Sequence, residues 1–124
     1  MCATGVKAKA DYQAQEIKIT PRGQLRFKLN GKYRFTLATP VVANVANALV
    51  AISCGRVFNI SYNNISQRLQ RFRGPKGRQV INRVGNFCLM DDTYNANPVS
   101  FRSALETLAQ LRVHGRKILV CADM

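Results

Sequence analysis

Tryptophan is absent, histidine occurs once, and only six of the 124 residues are acidic. No apolar run reaches the roughly 18 residues that a bilayer span requires. The opening "MCATGVKAKADYQ" holds no apolar core of signal-peptide length, so neither a membrane span nor secretion is expected and the expected location is cytoplasmic. The single histidine, His114 in "LRVHGRK", has no acid or cysteine beside it. A surface or capping role near a helix end is therefore expected of it, in place of catalysis. Four cysteines, Cys2, Cys54, Cys88 and Cys121, form no C-x-x-C pair, and the last three lie in "AISCG", "FCLM" and "LVCAD". They read as small buried hydrophobes in a reducing compartment, and no metal site is expected of them.

What the sequence does have is apolar content of 47% and a formal net charge of +13. The first suits one ordinary domain, or pieces of two, and excludes a disordered chain. The second invites partners that carry phosphates. The densest basic run is "RLQRFRGPKGRQVINR", Arg68 to Arg83. No RNA-recognition or zinc-finger signature accompanies it, and its aromatics are not spaced as a stacking platform. A solvated helix face followed by a basic loop is the favoured reading. A small basic module that binds nucleic acid or an acidic partner is the alternative.

Residues 11–38 read as antiparallel strands. "YQAQEIKI" runs to the turn "TPRG", and "QLRFKL" and "KYRFTL" alternate apolar and polar residues on either side of Asn30-Gly31. Asn-Gly between two alternating runs predicts a type I′ hairpin. From about Asn44 to Cys54 the spacing is helical, with Val45, Ala48, Leu49 and Ile52 on one face and Gly55 as the stop. A second helix is predicted from Tyr62 to Phe72, capped by Ser61, with Ile65, Leu69 and Phe72 inward and Arg68 and Arg71 outward. "RGPKGR" breaks the pattern as a linker or domain boundary. "QVINRV", the turn "GN" and "FCLMDD" read as two strands, then "PVSFRSALETLAQL" as a helix. Asn97 is its expected N-cap, Pro98 its first residue, and Phe101, Leu105, Leu108 and Leu111 its buried stripe. "GRKILVCADM" reads as a buried strand, which makes strand, loop, helix, strand the start of a βαβ unit.

The stretch "DDTYNANPVS" then stands where an α/β sheet places ligands, at the carboxyl end of a strand and before a helix N-terminus. A carboxylate such as Asp92 can accept two ribose hydroxyls, and Asn side chains can pair with base or phosphate. The competing account is local: Asp92, Asn95 and Asn97 satisfy loop backbone and cap the helix. From composition alone the local account is favoured.

"DDTYNANPVSFRSALETL" resembles the D-D-x-Y-N-A-N-P-x-S hallmark of the Mur ligases, in the form found in the UDP-N-acetylmuramoyl-tripeptide–D-alanyl-D-alanine ligases. Three further stretches follow the same family in order. "NVANALVAI" resembles the G-x-H-N-V-x-N-A-L-A-A helix of the central ATPase domain. "PKGR" resembles the inter-domain P-x-x-G-R, and "GRKILVCADM" resembles G-R-R-I-x-V-L-G-D-M. The resemblance implies an α/β chain in which residues 1–73 are the hairpin-and-helix tail of the central domain. Residues 74–124 would open the Rossmann-like C-terminal domain as an incomplete βαβ unit. It also implies an ATP-driven amide synthesis in which a carboxylate of UDP-N-acetylmuramoyl-tripeptide becomes an acyl phosphate and the amine of D-alanyl-D-alanine displaces phosphate. By position, Asn44 and Asn47 match residues near the adenine, Arg78 the arginine that approaches the nucleotide, and Asp92 the ribose-binding acid. Tyr94, Asn95 and Asn97 share its loop.

The departures matter as much. No G-x-x-G-K-[ST] phosphate loop occurs, and the lone glycine of "ATGVKAK" cannot stand in for one. The magnesium ligands and modified lysine of the family are expected upstream of Met1, and the D-alanyl-D-alanine surface downstream of Met124. Val41 and Ala43 replace the Gly and His of the family's P-G-x-H-N, and Ala122 replaces the Gly of G-D-M. The expectation is a nucleotide-contacting segment with no catalytic residue of its own and no activity in isolation.

Overall fold

Asn30 and Gly31 both take positive φ, 49° and 69°, the backbone a type I′ turn demands and which these two residue types reach at least cost. Lys32 N–H closes the turn by donating to the Leu29 carbonyl at 3.0 Å. The hairpin predicted at this point is therefore formed. Its strands β3 (Leu25–Leu29) and β4 (Tyr33–Leu37) pair antiparallel, with Phe27 opposite Phe35 and their rings stacked at 5.6 Å. The computed structural model describes residues 4–5, 10–21 and 23–122. They divide into two compact units, Met1–Arg73 and Gly74–Met124.

In the first unit, β2 (Tyr12–Ile19) pairs antiparallel with β3, and the short β1 (Thr4–Gly5) pairs parallel with β2, giving the order β1-β2-β3-β4. Asn30 clips β2 to the hairpin as well as turning it. Its Oδ1 accepts from Gln13 N–H and its Nδ2 donates to the Asp11 carbonyl, both at 2.7 Å. A strict alternation from Ala14 would send Glu16 and Lys18 inward. Instead Glu16 adopts φ 52° and the register shifts between Gln15 and Lys18, so that two residues of β2 face one of β3. This bulge turns Ile17 and Ile19 onto the same core as Ala14 and leaves Glu16 outside, 2.7 Å from Lys28 Nζ.

Helix α1 (Asn44–Val57) lies on that sheet through the four predicted residues, since Val45, Ala48, Leu49 and Ile52 are all buried. The helix continues past Gly55, contrary to expectation. A Cβ on Gly55 would stand 2.9 Å from Ile65 Cδ1, so this glycine gives the next helix room to approach. The stop comes four residues later. Asn59 has φ 58°, its N–H donates to the Arg56 carbonyl, and Ile60 N–H donates to the Gly55 carbonyl. This is a Schellman closure with Asn as the left-handed residue. Helix α2 (Tyr62–Arg71) starts as predicted, with Ser61 Oγ accepting from Asn64 N–H at 3.2 Å. Ile65 is buried and Leu69 packs on the core, but Phe72 lies beyond the last turn and is exposed, because the chain turns extended there.

In the second unit, β5 (Val80–Val84) and β6 (Phe87–Asp91) form an antiparallel ribbon closed by Gly85-Asn86, with Gly85 at φ 57°. Helix α3 (Pro98–Gln110) follows. Its buried residues are Ala104 and Thr107, with Phe101, Leu108 and Leu111 half-buried and Leu105 exposed. At 100° per residue the buried stripe centres on Ala104, and Leu105 falls to one side of it. Of the strand expected at 115–124, the described residues 116–122 join no sheet, and Ile118 and Val120 are 72% and 91% exposed; residues 123 and 124 lie outside the described residues. A parallel strand takes its hydrogen bonds from a neighbour's edge, and this unit's described residues supply none to that segment. The βαβ unit is thus incomplete, and the chain as a whole is mixed α/β. Among the described residues no helix is long and apolar enough to cross a membrane.

The cysteines also depart from expectation. Cys54, Cys88 and Cys121 are free and exposed, while Cys2 lies outside the described residues. Cys54 sits on the face of α1 turned away from Val45 and Leu49, Cys88 on a ribbon with little covering it, and Cys121 in the unpaired segment. An apolar sequence neighbourhood does not by itself place a side chain in a core.

Candidate nucleotide-binding residues

In the first unit the candidates are Asn44 and Asn47, on the opening turn of α1. They sit three apart and so on one face. Asn47 Nδ2 donates to Asn44 Oδ1 at 3.2 Å, and Asn44 Nδ2 donates to Thr39 Oγ1 at 3.4 Å. The chain of amides leaves Asn47 Oδ1 as an acceptor at the exposed end. The helix terminus itself offers little to an anion. Asn44, Val45 and Ala46 N–H groups already donate to the carbonyls of Val41, Val42 and Ala43. Ala43 at the N-cap has no side chain to cap with. Val41 is part of the apolar interior, 5% exposed, which explains what an aliphatic residue does at that position.

In the second unit the candidates gather where β6 ends. Asp91 and Asp92 are adjacent but differently engaged. Asp91 Oδ1 accepts from Thr93 N–H (3.2 Å) and from Thr93 Oγ1 (2.8 Å), so it shapes the loop. Asp92 is half-buried, and its carboxylate has no hydrogen-bond or ion-pair partner among the described residues. Both of its oxygens are available to hydroxyl donors, which is the chemistry a vicinal diol requires.

Tyr94 and Arg78 come together although the sequence separates them. The Arg78 guanidinium carbon lies 4.3 Å from the Tyr94 ring centroid, an exposed cation–π contact worth about 0.5–1 kcal/mol. Beside it, Tyr94 N–H donates to the Gly77 carbonyl at 3.0 Å. Gly77 is buried with φ 70°, and a Cβ there would stand 3.0 Å from Tyr94 N. A side chain at 77 would force the two loops apart. Glycine's role here was not read from the sequence, because a glycine in a turn gives no sign of what will approach it.

The remaining two candidates serve the backbone. Asn95 Oδ1 accepts from Ala96 N–H (2.9 Å). Asn97 is the N-cap of α3, its Oδ1 accepting from Ser100 N–H (2.9 Å) while Ser100 Oγ accepts from Asn97 N–H (3.1 Å). This capping box with Pro98 behind it is the helix start foreseen from sequence. The side-chain amide nitrogens of Asn95 and Asn97 carry no hydrogen bond among the described residues and are left for a ligand. Among the described residues no three His, Cys, Asp or Glu side chains converge.

No protein-family model matches the chain. Curated relatives do. The UDP-N-acetylmuramoyl-tripeptide–D-alanyl-D-alanine ligase of Escherichia coli (strain K12) is 32% identical over 121 residues, 94% of this chain and 26% of that protein. Its Bacillus subtilis (strain 168) counterpart is 29% identical over 123 residues, 97% of this chain and 26% of that protein. Among solved structures, MurF from Acinetobacter baumannii superimposes with a TM-score of 0.78 at 31% identity, covering 90% of this chain and 24% of that one. The chain is a Mur-ligase homologue. The resemblance carried by four short motifs thus extends over 90% of the chain. Thermotoga maritima MurC, a UDP-N-acetylmuramate-alanine ligase, aligns as well, with a TM-score of 0.78 at 26% identity over 89% of this chain and 26% of that one. This Mur-ligase homologue spans about a quarter of the length of the curated relatives it matches.

Proposed function

We propose that this chain supplies adenosine-nucleotide contacts to an ATP-dependent amide ligase of peptidoglycan-precursor synthesis. The reaction proposed is the joining of D-alanyl-D-alanine to UDP-N-acetylmuramoyl-tripeptide. Relatives named for that reaction and relatives named as UDP-N-acetylmuramate–L-alanine ligases both match. The Y-N-A-N-P run, Tyr94 to Pro98, favours the first.

The observation that carries the proposal is the unengaged Asp92 carboxylate at the end of β6, on the loop that also holds Tyr94 against Arg78. In the proposed roles Asp92 accepts the ribose hydroxyls, and the guanidinium of Arg78 pairs with phosphate oxygens, for which its planar fork is suited. Asn44 and Asn47 offer amides of the kind that pair with an adenine edge. Asn95 and Asn97 shape the loop and lend their remaining N–H groups. Magnesium, when bound to a complete ligase, would neutralise phosphate charge; none of the residues named here is assigned to it.

Without a phosphate-cradling loop in its sequence, this chain is expected to bind nucleotide without turning it over. The test is a titration of the chain with ADP and ATP, followed by a ligase assay with both peptide substrates. Saturable binding that Asp92→Ala abolishes, and no ADP release above background, are the expected results. Binding unaffected by Asp92→Ala would refute the ribose role, and turnover by the chain alone would refute its dependence on a phosphate loop.

A further inference from the structure

Tyr94 stands in the candidate site with its ring turned to Arg78, so its contribution need not be a contact with the nucleotide at all. We propose that Tyr94 is a positioning residue that holds Arg78 ready for the phosphates and binds the 74–79 loop to the 92–97 loop. The inference rests on the nucleotide reading above for its purpose and on three observations for its geometry. The guanidinium lies 4.3 Å from the ring centroid. Tyr94 N–H donates to the Gly77 carbonyl, immediately before Arg78. Gly77 is buried in a positive-φ conformation, with Tyr94 and Thr93 in contact with the space where a side chain would be.

The physical benefit is conformational. A free arginine samples many rotamers, and fixing it on an anion costs entropy. An arginine already resting on a ring loses less when the anion arrives, so the affinity gained comes from pre-organisation. The arrangement does this without spending donors. Arg78 makes no hydrogen bond among the described residues, so all of its N–H groups remain for an oxyanion. A ring acting in this way needs its π face but not its hydroxyl, which is what separates positioning from a polar contact to ligand.

The test uses the isotope-labelled full chain, four variants (Tyr94→Phe, Tyr94→Leu, Arg78→Gln and the Arg78→Gln/Tyr94→Leu pair) and ADP as the probe. Arg78 side-chain protons are expected at ring-current-shifted positions in the wild type and in Tyr94→Phe, and at ordinary positions in Tyr94→Leu. An unshifted Arg78 in the wild type overturns the proposal. In ADP titrations, Tyr94→Leu is expected to weaken binding about two- to fivefold and Tyr94→Phe to restore it. In an Arg78→Gln background, Tyr94→Leu is expected to have no further effect. Equal losses with and without Arg78 would show that the ring touches the nucleotide directly and would overturn positioning. Absence of saturable ADP binding by the wild type is a different failure: it removes the nucleotide reading and this inference with it. Binding that is intact but indifferent to Tyr94→Leu removes only this inference.

Discussion

Replacing Gly77 by alanine is expected to strip the second unit of most of its stability while leaving the first intact. Two costs add. A residue with a Cβ held at φ 70° loses about 1–2 kcal/mol to left-handed strain. The Cβ would also stand 3.0 Å from Tyr94 N, 3.2 Å from Tyr94 Cβ and 3.3 Å from Thr93 Oγ1. The first of these is backbone and cannot swing away, so overpacking of about 1–3 kcal/mol follows. The sum, about 2–5 kcal/mol, compares with roughly 3–8 kcal/mol for a typical folded unit of about fifty residues. Gly23→Ala is the control, since φ there is 71° and a Cβ would meet nothing within 4 Å; it carries the strain without the clash. Urea titration followed by residue-resolved amide signals reads each unit separately. The second unit's signals should collapse at low urea in Gly77→Ala, with first-unit midpoints unchanged. Gly23→Ala should lower the first unit by about 1–2 kcal/mol. A Gly77→Ala cost no larger than that of Gly23→Ala would refute the close approach of the two loops.

Leu49→Ala should cost about 2–5 kcal/mol in chemical denaturation, because Leu49 is fully buried between α1 and the sheet; Val50→Ala, on the exposed side of the same helix, should stay within about 0.5 kcal/mol. Asn97→Ala removes one half of the capping box and should cost about 1 kcal/mol, seen as faster amide exchange in the first turn of α3. The Glu16 carboxyl is held below its usual 4.5 by its hydrogen bond to Lys28, helped by the charges of Lys28, Lys18 and Arg34. A lowered folded-state value means a stabilising contribution present above pH 4.5 and lost as the pH falls through the lowered value. The urea-midpoint gap between wild type and Glu16→Gln should therefore close on acidification and narrow with added salt; a gap that persists at low pH would contradict the pairing.

Much of the fold was legible because local signals and tertiary packing agree. Asn30-Gly31, Ser61 and Asn97-Pro98 do locally what their types do best, and Val45, Ala48, Leu49 and Ile52 mark a helix face unambiguously. The bulge at Glu16 was not read from the sequence, although the spacing is compatible with it. Ala14, Ile17 and Ile19 cannot share a face of a regular strand, and the register shift is what lets all three reach one core. Gly55 shows the opposite situation, since a glycine near a helix end fits a stop or a close approach equally, and only Ile65 decides. The exposed cysteines and the unpaired 116–122 segment were misread because apolar sequence predicts burial only where a partner surface exists. In the candidate site, Asp92 and Arg78 enter through the family resemblance, and their roles stand as proposals. The different engagements of Asp91 and Asp92, and the stacking of Arg78 on Tyr94, arise from contacts no linear pattern encodes.

The β5–β6 ribbon has both edges unpaired among the described residues and carries Phe87 at 78% exposure beside Val84 and Leu89. Such edges invite copies of the chain to add to one another. The net charge of +13 opposes this by mutual repulsion at a distance. The two forces differ in range, and salt acts chiefly on the longer one, shrinking it to about 8 Å at physiological ionic strength. The expected salt response is thus the reverse of that of a basic protein held by ionic contacts. Added salt, which frees such a protein from its aggregates, is here expected to lower the barrier between one ribbon and the next.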